Sequence, residues 1–525
     1  MYDTFDKRLY TLQNTLQENL LLNSKTGIEK ESLRVSERGT IASTPHPAAL
    51  GSALTNPHIT TDYSEALLEL ITPPLNNADA TLAFLRDTQK FVYDRLQNDV
   101  LWCASMPCVL EGEASIPIAQ YGSSNAGLMK TIYRRGLGHR YGKMMQVIAG
   151  IHYNYSLPTE FWPVYQRLEN NKQTLQDFVS ESYFCLIRNL QRFGWMVPYL
   201  FGASPAVCKS FMDGIEKILQ PFDENTCYEP YATSLRLSDI GYQNYKEDKS
   251  GIKANYDNLA SYVSSLKRGI ETPSPDYQKI GIKVDGEFRQ LNANLLQIEN
   301  EYYSTIRPKQ PTGTYEKPTV ALTKRGVNYV ELRSLDINVL EPLGVNETQL
   351  HFLEAFLIFC LLHDSPKINT AERKEIDKNQ SATALRGRQP GLQLMRNGEP
   401  ITLTNWATEI CVKMQGVCEW LDKCHQSNHY QNSLQKQREL IEDSTKCSSA
   451  IMLSEMKSNG ESFFPYSMRY TKQHAAYFSN LTLPPEKEKF FADLAAQSIQ
   501  DQQRMESDND LPFDAFLQRY FSESL

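Results

Sequence analysis

Several familiar chemistries are missing from this 525-residue chain. No GxxxxGK run followed by Ser or Thr occurs, which excludes a P-loop, and no GxGxxG follows a strand pattern. The nearest glycine cluster, GLGHRYG at 136–142, has the wrong spacing and reads as a turn. None of the ten cysteines forms a CxxC pair, which argues against a zinc ribbon. Ten in so long a chain are also too few for a disulfide framework, so buried reduced thiols are expected. The longest apolar run, FLIFCLL at 356–362, falls far short of the roughly 20 residues that a membrane span needs. The N-terminal MYDTFDKRLY carries acids where a secretory leader would be basic. Basic excess is lacking too: 54 Lys and Arg against 62 Asp and Glu give −8, which argues against a nucleic-acid partner. A soluble, cytoplasmic, globular protein is expected, with no membrane and no nucleic acid as partner. Any phosphate it binds has to be met by local Arg or Lys, or by metal ions.

What the chain does have is a recurring pattern of acids between apolar residues. In GIEKESLRV at 27–35, Glu29 and Glu31 stand two apart on a predicted strand and so share a side. Two such carboxylates repel unless a cation lies between them or one takes up a proton. TTDYSEALLELITP at 60–73 adds Asp62 and Glu69. GIHYNYSL at 150–157 alternates His152, Asn154 and Ser156 with apolar neighbours, and YVELRSLDIN at 329–338 sets Glu331 and Arg333 on one side. Taken singly, each is ordinarily a solvated sheet face or a structural histidine. Four together point to an acid-lined metal and phosphate site, with Arg236 and Arg333 as cations. Carboxylates with one imidazole suit Mg²⁺ or Mn²⁺ better than zinc.

Apolar spacing predicts helices over 4–22, 78–97, 128–148, 175–200 and 347–363. The Asp285-Gly286 pair predicts a two-residue hairpin turn within 282–291. Strand signals concentrate before about residue 340 and helical ones after it. An α+β fold with an antiparallel sheet is expected, with a sheet-rich core over about 25–345 and a helical part over about 346–525.

The runs GIEKESLRV, IAQYGSSNAG, GIHYNYSLP, RNLQRFGWMVPYLFGASPA, YATSLRLSDIGY, LQIENEYYSTIRPK and YVELRSLDINVLEPLGV, in this order, closely resemble the proteobacterial class of glutamate–cysteine ligase. The likeness is dense from 25 to 345 and weaker beyond, as in GRQPGL at 387–392. It implies a glutamine-synthetase-like fold, whose curved, mostly antiparallel sheet forms a funnel-shaped active site, and a single catalytic unit over 1–525. It implies ATP-dependent ligation of L-glutamate to L-cysteine through a γ-glutamyl phosphate, with Mg²⁺ or Mn²⁺, and feedback inhibition by glutathione. A related carboxylate–amine ligase with another amine acceptor is the alternative. Carried over by position, the metal set is Glu29, Glu31, Asp62, Glu69, His152 and Glu331, with Arg333 and Arg236 catalytic. Tyr133, Leu137, Gln146, Asn154, Arg236, Tyr242 and Tyr303 form or border the substrate pockets. One departure stands out: FWPVYQRLE at 161–169 lacks the cysteine that pairs, in some relatives, with the one at Cys108.

Overall fold

The computed structural model describes residues 2–14, 19–107, 109–212, 219–241, 253–313 and 315–522. Its centre is a seven-stranded sheet in which every pairing is antiparallel. The strands are β1 (Lys25–Ser36), β2 (Ile59–Thr61), β3 (Leu67–Ile71), β4 (Asp99–Leu101), β5 (Ile151–Ser156), β6 (Ile306–Lys309) and β7 (Tyr329–Leu335). They lie in the order β6–β7–β5–β1–β3–β2, with β4 paired to the C-terminal end of β1. The sheet is open, and with the helices around it the fold is α+β of the glutamine-synthetase-like kind.

Alternation along these strands gives the sheet two unlike faces. The back face carries Ile28, Leu68, Leu70, Tyr153, Tyr155, Val330 and Leu332, all buried. Against it pack the helices α1 (Ala78–Tyr93) and α3 (Glu347–Leu362), which also touch each other. Every residue of α3 from Gln349 to Leu362 is buried, as expected of a helix that is apolar all round. A reciprocal cap starts it: Asn346 accepts from the Gln349 amide while the Gln349 side chain accepts from the Asn346 amide, each at 3.0 Å.

Over the front face stands α2 (Asn125–Tyr141), started by Ser124, whose hydroxyl accepts from the Gly127 amide at 3.2 Å. Its outer side is braced from the far end of the chain. Ile132 packs with Phe516 and Leu517, and Asn125 donates to the Leu511 carbonyl at 2.9 Å. The helical part after 346 therefore holds up an element of the sheet-rich part.

β7 contains a register slip. Leu332 pairs with Tyr153 but Leu335 with Ile151, so one extra residue is accommodated between them. Such a bulge bends a strand and re-aims its side chains.

Several predicted boundaries shift. The first helix ends at Gln13 rather than 22, and 128–148 is Asn125–Tyr141 followed by a 3₁₀ turn at Met145–Val147. The segment 175–200 breaks at Gly194 into Leu175–Phe193 and Met196–Phe201. The C-terminal part is not purely helical, because Gln393–Arg396 and Glu399–Thr402 form a hairpin. The turn at Asp285-Gly286 is as predicted, with φ of 52° and 85°, the left-handed pair of a type I′ hairpin.

Candidate active site

Register explains why the polar residues meet. Glu29 pairs with His152, Glu31 with Glu69, and Glu331 with both Asn154 and Arg307. Directly opposed residues share a face, so five strands contribute to one polar patch. Within it His152 Nδ1 lies 3.1 Å from Glu29 and 3.6 Å from Glu331, and its Nε2 lies 3.7 Å from Glu31. Asn154 donates to Glu29 at 2.9 Å, and Arg333 to Glu331 at 3.0 Å. Lys309 reaches Glu331 Oε2 at 3.3 Å.

Arg236, 2% exposed, sits on a 3₁₀ turn (Leu235–Leu237) and donates to the Arg333 carbonyl at 2.9 Å. Asp336 lies 3.7 Å from the same guanidinium and accepts from the hydroxyls of Ser204 and Ser234 and from the Ala203 amide. Gly150 donates to Glu31 at 2.7 Å, and a Cβ there would lie 2.0 Å from an Arg236 nitrogen. Only glycine lets that arginine come so close to the sheet.

A cavity of about 120 Å³ adjoins the patch, lined by Glu31, Asp62, Tyr133, Leu137, Gln146, Tyr303 and Arg333 among others. The structure thus brings together all the sequence-derived site residues except Tyr242, which lies outside the described residues, as does Cys108. Asp62 borders this cavity, and its backbone carbonyl is gripped by Tyr121 and Arg134.

The electrostatics divide the acids. Burial pushes Glu331 up, but Lys309, Arg333, His152 and Arg307 hold it well below the usual carboxylate range. Glu29, also opposed by burial and by Glu331, is held low by His152 and Lys309. Glu69 goes the other way: burial, then Glu29, Asp62 and Glu31, push it well up. Glu31 is raised by burial, with Asp62 adding to it. The acids on the Glu31–Glu69 side therefore crowd without enough local positive charge, which is the condition for holding a cation.

Glu29, His152 and Glu331 each offer one donor atom, all within 4.8 Å of one another. Asn154 Oδ1 is buried without a hydrogen-bond partner among the described residues, and Glu331 Oε2 meets only Lys309. A donor set this rich in oxygen fits Mg²⁺ or Mn²⁺. Two cations in this patch, Arg307 and Lys309, escaped the sequence reading. The signal was there in the alternating Ile306-Arg307-Pro308-Lys309 just before the ELR strand.

The family model described as glutamate–cysteine ligase matches residues 9–383. The chain belongs to the glutamate–cysteine ligase family. It is 45% identical over 524 residues to a glutamate–cysteine ligase of Alcanivorax borkumensis, covering 99% of each chain. A Pseudomonas putida glutamate–cysteine ligase is 46% identical over 520 residues, 99% of this chain and 98% of that one. Among solved structures, the glutamate–cysteine ligase of Francisella tularensis in complex with AMP superposes with a TM-score of 0.89 at 33% identity, covering 95% and 98%. A bifunctional glutathione synthetase from Pasteurella multocida shares the fold at a TM-score of 0.70 and 23% identity, over 93% of this chain and 57% of that one. Full-length likeness within this ligase family extends through the helical C-terminal part, where the motifs thin out.

Proposed function

We propose that this chain joins the γ-carboxylate of L-glutamate to the amine of L-cysteine at the expense of ATP, giving γ-glutamylcysteine, ADP and phosphate. This is the first step of glutathione synthesis. The observation that carries the reading is the junction of an acid-and-arginine sheet face with a small cavity walled by tyrosines, in a full-length member of this ligase family.

A carboxylate is a poor acylating agent until phosphorylated. Its γ-oxygen attacks the terminal phosphate of ATP, and the amine then displaces phosphate from the resulting acyl phosphate. The protein's task is positioning and charge stabilisation. Arg333 is suited to the transferred phosphoryl group, because its planar fork can grip two oxygens and its Nε is buried without a hydrogen-bond partner among the described residues. Arg236, whose Nε and Nη1 are likewise buried without such partners among the described residues, backs it or holds the glutamate carboxylate. Tyr133, Leu137, Gln146 and Tyr303 wall the amino-acid side and keep water from the acyl phosphate, with Asn154 beside them on the sheet. Glu29, Glu31, Asp62, Glu69, His152 and Glu331 are the residues that would hold Mg²⁺ or Mn²⁺. That ion supplies positive charge to the phosphate oxygens.

The whole chain, 1–525, works as one catalytic unit in this reading, supported by the bracing of α2 from residues 511–517. Glutathione, which contains the product, competes for the same pocket. No helix among the described residues is long and apolar enough to cross a membrane, and we place the enzyme in the cytoplasm with its small-molecule substrates. The test is ADP formation with each substrate omitted in turn. Turnover is expected to need a divalent cation and glutamate and to rise steeply with L-cysteine or L-2-aminobutyrate. Full activity with ammonia and none with cysteine would overturn the assignment.

A further inference from the structure

Outside the catalytic face, one cluster has the make-up of a metal centre. Glu347 and His351 lie one turn apart at the start of α3, and His429 opens the helix His429–Glu442. We propose that Glu347, His351 and His429 form a second metal site, suited to Zn²⁺ rather than Mg²⁺, that staples the start of α3 to the start of the helix packed against it.

Three observations carry it. One carboxylate oxygen, Glu347 Oε1, lies 3.6 Å from His351 Nδ1 and 3.4 Å from His429 Nδ1. A donor atom from each of the three residues can be chosen so that all lie within 4.8 Å of one another. Two ligands on a tetrahedral zinc with bonds of about 2.0–2.2 Å stand about 3.3–3.6 Å apart, so the two contacts to the carboxylate already match edges of such a sphere. Secondly, none of these three side chains makes a hydrogen bond to another described residue; their close polar contacts are with one another. The two imidazoles stack, with centroids 5.3 Å apart and planes 20° from parallel, an arrangement that a pair of charged rings would resist. Thirdly, His351 is 8% exposed, so an ion held there would be shielded from solvent on that side.

The donor chemistry selects the ion. Two imidazoles and one carboxylate are a zinc set, whereas Mg²⁺ prefers oxygen throughout. With His429 and Glu347 half-exposed, an ion can enter from solvent and keep an open position there. The cluster lies where α3, which covers the back of the sheet, meets the helix His429–Glu442 packed on it, so its ion would act on the rigidity of the helical part rather than in the ligation reaction.

The test is Zn²⁺ binding by the full-length protein, read by competition with a chromophoric chelator under excess Mg²⁺, together with the thermal shift. His429→Gln and His351→Gln are compared with wild type and with His152→Gln in the catalytic face. The expected result is a loss of about tenfold or more in Zn²⁺ affinity in both cluster variants, at least the size of effect seen when a ligand's outer partner is disturbed. His152→Gln should keep the site. Zn²⁺ should raise the melting temperature of wild type but not of His429→Gln, and the Mg²⁺-supported turnover of His429→Gln should stay within about twofold of wild type. Should His351→Gln fail to fold, the exposed His429 decides alone. Identical Zn²⁺ isotherms and thermal shifts for wild type and His429→Gln would overturn the proposal, as would a site lost only in His152→Gln.

Discussion

The two faces of the central sheet bury charge to a similar degree and treat it in opposite ways. On the back, Lys30 is 3% exposed and donates to Gln89 at 2.8 Å, while Glu354 is 5% exposed and accepts from Tyr430 at 2.8 Å and Tyr155 at 3.3 Å. Each meets neutral partners, and burial drives each toward its neutral form: Lys30 falls to about 7 and Glu354 rises to about 7. On the front, Glu331 is 1% exposed yet is held well below its ordinary range by Lys309, Arg333, His152 and Arg307, and Arg333 is raised by Glu331, Glu31 and Glu29 despite its burial. Burial alone therefore does not decide ionisation; the density of opposite charge does. On the front, Glu331 and Arg333 keep their charges because opposite charge surrounds them, whereas Lys30 and Glu354 on the back, like Glu69 among its fellow acids, are driven toward their neutral forms.

The largest effect is expected from Arg333→Lys, which keeps one positive charge but removes the fork. A loss on the order of 10²–10³ in turnover should follow, by analogy with removing one preorganised donor. Steady-state rates at rising Mg²⁺ check it, and excess metal should not restore activity. Glu29→Gln comes next, because it removes charge without changing shape. Metal affinity should fall by about 10- to 100-fold, and raising Mg²⁺ or Mn²⁺ should recover part of the rate. Near-wild-type kinetics at low metal for this folded variant would turn the front into an ordinary solvated face and end the contrast.

Glu354→Gln probes the back. The carboxyl is raised from 4.5 to about 7 in the folded state, so its contribution is full below about pH 4.5 and is lost as pH rises through 7. At higher pH the buried group costs on the order of 3 kcal/mol. The amide variant should flatten the fall in melting temperature between about pH 4.5 and 7 and leave turnover unchanged. An unaltered pH profile would place Glu354 in ionised company like that of the front. The smallest effect concerns thiols. The nine described cysteines are all free, so reductant should alter neither rate nor electrophoretic mobility, and a rate-changing crosslink at Cys108 would show otherwise.

How much of this the sequence disclosed depends on distance along the chain. Alternation showed that Glu29 with Glu31, and Glu331 with Arg333, share sides, since that needs only neighbours two apart. It could not show that β5 lies between β1 and β7, which is what brings His152 within reach of both Glu29 and Glu331. Arg307 and Lys309 were overlooked because β6 is only four residues long and carries Pro308, a weak strand signal. The bracing of α2 by Phe516 and Leu517 was out of reach of local patterns, since the segments lie nearly 400 residues apart. The helix over 4–22 was overextended because Leu16 and Leu20 continue its apolar spacing past Gln13, and spacing says nothing about where a helix stops.

The extra residue in β7 has a consequence for how this strand tolerates change. Before it, Glu331 and Arg333 face the front; after it, Leu335 pairs with Ile151 and so returns to the back, which puts Asp336 at the front beside Arg236. A strictly alternating strand would send Asp336 to the other side. The bulge works as a phase shift between two odd–even counts, one set by Glu331 and Arg333 on the polar face and one by Asp336, which lies beside Arg236. Removing a single residue at Ser334 would leave each half of the strand intact in composition but put them out of step. A one-residue deletion here is therefore expected to cost more than any single side-chain replacement at Leu335 or Ser334, because it would turn a whole row of correctly chosen residues to the wrong side.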